Sequence, residues 1–269
     1  NQIIYRVGVT SLKIEIRDTD PNTGKMVKVG DFIFDEFADE KINEFASEHS
    51  TRFRVALAEG VSSWQVYKAL SEIKFLMGKL ENIPDEGTIA PASYDFGIGM
   101  TKAALIKKMQ ERQASILNEA WNARQPNLPI NTKQEALILA SIIEKETSLK
   151  TERGKVSSVF VNRLLREIAL QTDASVIYGI TRGKKVLGRG LRRSELKKDT
   201  PWNTYVNKGL PPSPIGNPGK ASIHAALNPD ITNYLYFVAD GSGGHAFAEN
   251  LREHNINVAK WRKIEKTDN

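Results

Sequence analysis

The sequence predicts an α+β fold: a β-rich region over residues 1–98, then a domain of packed helices with a small antiparallel sheet over residues 99–269. Three observations predict it. Before residue 60 the chain carries β-branched residues in loosely alternating runs. From residue 100 to 168 the apolar residues recur with helical period, between short loop signals. Between the two lies 78–98, which reads as loop from Pro84, Gly87, Pro91 and Gly97 and places the boundary.

In the first region, strands are expected at 3–9, 11–16, 28–34 and 53–58, with a short helix around 40–46. Asp20-Pro21-Asn22-Thr23-Gly24 is a turn cluster: proline presets φ, while asparagine and glycine tolerate the left-handed region. Ser62, with Gln65 three residues on, is a capping-box signature for a helix that turns Val66 and Leu70 inward. This strand, turn and helix unit fits a binding module and a structural spacer equally well. A long surface helix is expected over 100–122, and Pro126 and Pro129 end the connection to the next element.

That next element, residues 131–147, organises the rest. Asn131 or Thr132 caps it, and Gln134 or Glu135 falls where a capping box wants an acid or amide. From Ala136 to Ile143 every residue but Ser141 is apolar, so the helix is expected to be wrapped on most sides. Leu139, Ile142, Ile143 and Glu146 share one stripe at i, i+3, i+4 and i+7, with Glu144 nearly opposite. Glu146 therefore continues the most apolar stripe. A carboxyl in such a pocket has its pKa raised and can hold a proton near neutral pH, as a glycosidase acid does. The alternative is a solvated glutamate in a fraying last turn.

A second helix is expected over 152–168, antiparallel to the first, with Val156, Phe160 and Leu164 on one side. Gln171-Thr172-Asp173 then precedes a short helix through Ile177 ended by Gly179, with Thr172 or Asp173 as a plain N-cap in the simplest reading. Residues 182–198 carry eight Lys or Arg against one acid, Glu195. They read as an exposed loop, either solvated or contacting an anion, and without the aromatics a single-stranded nucleic acid would stack on. Residues 200–219 hold five prolines and three glycines and make a rigid, extended path. Trp202, Asn203 and Tyr205 on it suit a groove wall for a sugar; a structural belt is the other reading. A short helix at 221–226, strands at 234–239 and 245–248, and a final helix at 250–264 complete the chain. His254, on that last helix, reads as packed or solvated.

Composition narrows the function classes. The 269 residues are 40% hydrophobic and 26% charged, ordinary for a globular protein, and no run approaches the ~18 apolar residues of a membrane span. There is no cysteine, which excludes disulfides and thiolate metal sites. The four histidines are scattered and no HExxH spacing occurs, so no metal or cofactor is expected. The net charge of +6 favours a polyanionic partner or surface.

Several stretches now coincide in order: ASIIEKET at 140–147, VFVNRL at 159–164, LQTDASVIYG at 170–179, NTYVNKGLPPSPIGNPG at 203–219 and YLYFVADGSGGHAFAENLREHN at 234–255. Together they resemble the YceG-like endolytic murein transglycosylases, densely over 131–257 and more faintly before. EGTIAPASYDF at 86–96 is similar to a family segment in which Ala92 here replaces the usual Asp, so no role for that Asp carries over. The resemblance implies a LysM-like subdomain in the N-terminal part and a catalytic domain after it. It implies a single-pass inner-membrane protein with that domain in the periplasm, the anchor lying outside these residues. Its substrate would be nascent peptidoglycan glycan strands, with peptidoglycan synthases as candidate partners and no nucleic acid. The reaction would cleave between MurNAc and GlcNAc, leave a 1,6-anhydroMurNAc end and so terminate strand elongation.

The family's catalytic carboxylate maps onto Glu146, the residue the helical stripe singled out. Gln171, Asn203 and Tyr205 are the expected substrate contacts, from motif position and polarity, and Glu144 is expected to play a supporting part. Two rivals stand beside this reading. A muramidase-type hydrolase needs a second carboxylate, for which Asp173 is the motif-embedded candidate. A non-enzymatic binder of glycan or nucleic acid would rest on the basic loop.

Overall fold

The computed structural model describes residues 2–33, 42–46 and 51–267. The first unit is a five-stranded sheet in the order β3-β2-β1-β4-β5. Strands β1 (Gln2–Val7), β2 (Leu12–Thr19) and β3 (Met26–Ile33) form an antiparallel meander, β4 (Arg52–Leu57) runs parallel to β1, and β5 (Ser93–Phe96) closes the edge antiparallel to β4. The turn between β2 and β3 is the expected one: the Asp20 carboxylate accepts from the Asn22 amide at 2.8 Å and the Thr23 hydroxyl at 2.8 Å. Gly24 takes the left-handed φ of 65° there. Of the helix expected around 40–46, residues 42–46 are helical and the remainder lie outside the described residues.

The strand at 93–96 corrects the reading of 78–98 as loop throughout. Tyr94 and Phe96 alternate inward against Ser93 and Asp95, but a period-2 signal four residues long is lost among flanking glycines and prolines. Asp95 is clamped across the edge by Arg54 at 2.6 and 2.9 Å. Alternate residues Ile3, Tyr5 and Val7 and their neighbours Phe53, Val55 and Leu57 supply the inner face, covered by α1 (Ser63–Glu72) through Val66 and Leu70. The Ser62–Gln65 capping box forms as the sequence predicts.

Helix α2 (Lys102–Asn122) joins this core to a second one. Its Leu105, Ile106 and Met109 pack in the first, and its Leu117 and Ala120 in the second, so its inner face is buried rather than being surface all round. The second core is built on α3 (Lys133–Glu146), whose residues Ala136 to Ile143 are all buried. Its start carries the predicted capping box between Thr132 and Glu135. Around it lie α4 (Arg153–Leu165), α5 (Asp173–Thr181), α6 (Arg193–Leu196) and α7 (Lys220–Leu227). The hairpin β6 (Tyr236–Ala239) and β7 (His245–Ala248), then α8 (Leu251–Thr267), complete the chain.

Two expected ends move. Helix α4 stops at Leu165, because the chain turns back at Glu167 (φ 51°) and Ile168 donates to the Arg163 carbonyl at 2.8 Å. Helix α5 runs through Gly179 to Thr181. Gly179 serves packing: a Cβ there would sit 3.1 Å from Cβ of Trp202. Left-handed Arg182 (φ 52°) ends the helix instead.

The extended path after Lys197 crosses between the two cores. Asn217 donates to the Val61 carbonyl at 2.9 Å and accepts from the Ile89 amide at 2.9 Å, while the Ile215 amide donates to Ser141 at 3.0 Å. Its later half is therefore a belt, and its first turn, around Tyr205, faces a cleft. Among the described residues no helix is long and apolar enough to cross a membrane.

Candidate active site

Helix α3 ends at Glu146 because the next residue, Thr147, is already extended (φ −145°, ψ 133°). The last side chain of a wholly buried helix is thereby delivered to the floor of a cleft of about 440 Å³. The cleft is open, and Glu146 is only partly covered in it. Burial of its carboxyl pushes the pKa above the ordinary carboxylate range. Asp173, beside it, pushes the same way by charge, while the hydroxyl of Thr172 opposes by donating to Oε1. The site thus favours a protonated Glu146 and still offers a hydrogen bond to its ionised form.

Thr172 is fixed from the other side. Its amide donates to Oγ1 of Thr204 at 3.0 Å, and the neighbouring Gln171 amide donates to the Thr204 carbonyl at 3.0 Å. Thr172 occupies the N-cap position of α5 without making a side-chain cap, since its hydroxyl is committed to Glu146. The plain N-cap reading of this residue is therefore corrected.

Gln171 sits exposed at the cleft with φ 54°. A non-glycine residue in that region carries strain that the surroundings must hold. Arg163 holds it. This buried guanidinium donates to the carbonyls of Leu235 (2.7 Å), Ala169 (3.1 Å) and Leu170 (2.9 Å), and lies over the Tyr236 ring with its carbon 5.1 Å from the centroid.

Tyr205 faces Gln171 and Asp173 across the cleft, and its hydroxyl donates to Oδ1 of Asp173 at 2.7 Å. Burial first, then Asp173, push the phenol pKa up, so it stays a donor at neutral pH. His254 of α8 stacks on Tyr236 at 5.0 Å and also lines the cleft. Burial, then the charge of Arg163, push its imidazole pKa down, so it is neutral at pH 7.

An open groove around a carboxyl whose pKa burial raises, walled by aromatic rings and polar donors, suits acid–base chemistry on a sugar chain. The sequence profile of the YceG-like family matches residues 3–260. The chain belongs to the YceG-like family. It is 39% identical over 179 residues to the endolytic murein transglycosylase of Bacillus subtilis, covering 66% of this chain and 48% of that protein. To the endolytic murein transglycosylase of Streptococcus pneumoniae D39 it is 33% identical over 182 residues, covering 65% of this chain and 32% of that protein. Matched regions thus span about half and about a third of those two relatives. The crystal structure of a yceG-like protein from Listeria monocytogenes superposes with a TM-score of 0.63 at 26% identity, covering 84% of this chain and 82% of that one.

In this YceG-like chain the structure brings together Glu146, Gln171, Tyr205 and Asp173. It does not bring Asn203 to the cleft, which corrects that residue's expected place on the groove wall. Asn203 is fully buried: its amide group donates to the carbonyls of Glu195 (3.3 Å), Leu196 (3.1 Å) and Lys198 (2.7 Å), and its carbonyl accepts from the Tyr205 amide at 2.9 Å. A loop without regular structure needs donors for its buried carbonyls, and an asparagine side chain supplies them. Trp202 is likewise turned away from the cleft, under the Arg182 guanidinium at 3.5 Å.

Glu144, expected to play a supporting part, has a buried side chain. It accepts from Arg153 at 3.2 Å and from the Gly219 amide at 2.8 Å, and Arg153 reaches on to Glu59 of the first unit at 3.4 Å. Sequence reasoning missed Arg163, Tyr236 and Thr172. The signal for Arg163 was present: it continues the stripe Val156, Phe160, Arg163 at i, i+4, i+7, where an arginine on a buried face needs a polar task.

Proposed function

We propose that this chain is an endolytic lytic transglycosylase of peptidoglycan, with Glu146 as its single general acid and base. The observation that carries the reading is the placement of Glu146, a proton-favouring carboxyl on the floor of an open cleft. The named activity of the relatives supports the reaction class. Protonated Glu146 gives its proton to the glycosidic oxygen as the bond from C1 of MurNAc to that oxygen breaks. As carboxylate it then takes the proton of the C6 hydroxyl of the same MurNAc, whose oxygen closes on C1. A 1,6-anhydro end forms, the GlcNAc-bearing strand leaves with its new hydroxyl, and no water is consumed.

Positioned proton transfer of this kind is worth roughly 10²–10⁴ in rate, or about 3–5 kcal/mol. Gln171 and Tyr205 stand where they can hydrogen-bond the strand. Thr172 receives the carboxylate form of Glu146 between the two transfers. In this reading the substrate is the nascent strand at the outer face of the inner membrane, beside the synthases that extend it.

One observation favours a second reading. Asp173 lines the same cleft and could act as the further carboxylate of a muramidase. Against it, the Asp173 carboxylate is engaged by Tyr205. The products separate the two: digestion of murein sacculi followed by mass spectrometry should give muropeptides one water lighter than hydrolysis products, and Glu146→Gln should give none. Reducing ends in place of anhydro ends would move the reaction to the muramidase.

A further inference from the structure

A second cavity, of about 340 Å³, lies on the other side of helix α5. That volume falls in the range of small-ligand sites, ~300–1,000 Å³. Its apolar wall includes Ala174, Ile177 and Ile215, and its cations are Lys145, Lys185 and Arg189. No Asp or Glu lines it among the described residues. Arg189 is paired with Glu195 at 2.6 Å, whereas Lys145 has no hydrogen-bond partner among the described residues.

Lys145 is an exposed residue whose stem lies close against the backbone. Its stem crosses two glycines: a Cβ on Gly216 would sit 3.2 Å from Lys145 Cε, and one on Gly60 would sit 3.6 Å from Lys145 Nζ. Behind it Glu86 is partly buried and committed elsewhere, accepting from the Ser63 amide at 2.8 Å and the Tyr178 hydroxyl at 3.0 Å. The ammonium feels the charges of Glu86 and Glu144 but is hydrogen-bonded by neither, and it borders the apolar wall of the cavity. Such a slot recognises a carboxylate carried on a small, partly apolar body.

Lys145 and Glu146 are consecutive on α3, and Asp173 and Ala174 are consecutive on α5. The first turn of α5 thus borders both cavities, with Asp173 in one and Ala174 in the other. A helix is about 10–12 Å across, and three or four extended residues span roughly 10–14 Å. We infer that the second cavity is a subsite for an acidic peptide branch of the strand bound at Glu146, with Lys145 pairing the branch carboxylate. This rests on the transglycosylase reading above.

The test compares glycan strands of matched length with their peptides present and with their peptides removed by an amidase. Wild-type protein should show a kcat/KM about tenfold or more higher on the peptide-bearing strands, the scale of one charge-assisted hydrogen bond. Lys145→Met, which keeps the stem, should bring that ratio close to one. Ile177→Trp, which fills the slot from α5 and leaves Lys145 in the sequence, should do the same. A wild-type ratio of one, a ratio unchanged in both variants, or an equal loss on both substrates in Lys145→Met would overturn the subsite. Failure of the wild type to cut either strand would instead remove the transglycosylase reading beneath it.

Discussion

The hydroxyl of Thr172 is donated to Oε1 of Glu146. This contact links the end of α3 to the start of α5 and favours release of the Glu146 proton, against the larger effect of burial. Thr172→Val keeps the shape of the side chain and removes the donor. Without it the carboxylate form loses its hydrogen bond, so the pKa of Glu146 rises further and the alkaline limb of the pH–rate profile moves to higher pH. A hydrogen bond to a charged group is worth about 1.5–3 kcal/mol, so kcat should fall by roughly ten- to a hundredfold. An unmoved limb would mean that Thr172 does not control Glu146.

Asp173→Asn should move the same limb the other way. The charge of Asp173 raises the pKa of Glu146, and removing it favours the carboxylate. The pH–rate profile should therefore narrow from its alkaline side, while the amide oxygen still accepts from Tyr205. A muramidase using Asp173 as its second carboxylate would instead lose turnover at every pH.

The raised pKa of Glu146 also has a consequence for stability. Folding favours its protonated form, so this stabilising contribution is complete below the ordinary value of 4.5 and is lost as pH rises through the folded pKa. Glu146→Gln cannot ionise. Its Tm advantage over wild type should grow as pH climbs through that window and then level off.

The stripe at 139, 142, 143 and 146 made Glu146 legible, because helical phase and the run of apolar neighbours are both local properties. Gln171 and Tyr205 came from motif position in the family resemblance together with polarity, and they line the same cleft. Thr172 was not legible: a threonine before a helix has a local explanation, and only the approach of α3 gives its hydroxyl another partner. Asn203 misled for the converse reason, since a polar side chain in a Pro/Gly-rich path looks exposed until the path folds over it. Strand β5 stayed hidden because four residues at a sheet edge carry too little pattern to stand out from the turns around them.

Asn203→Ala checks that correction. Removing an amide that serves four backbone groups should cost about 2–3 kcal/mol in urea denaturation. A direct sugar contact would behave differently, raising KM with unchanged stability.

Arg153→Met tests the bridge between the two cores. It leaves Glu144 buried without its cation, which typically costs about 3–5 kcal/mol. Double substitution with Glu144→Gln should recover part of that loss, and a strictly additive pair of losses would show that the two side chains do not interact.

The most direct test of the account is digestion of murein by the purified protein in water labelled with heavy oxygen, read by mass spectrometry of the cut ends. The C6 hydroxyl of the substrate is the attacking group, so the anhydro ends should carry no solvent oxygen and Glu146→Gln should yield no ends. One labelled oxygen per cut would make water the nucleophile and contradict the account.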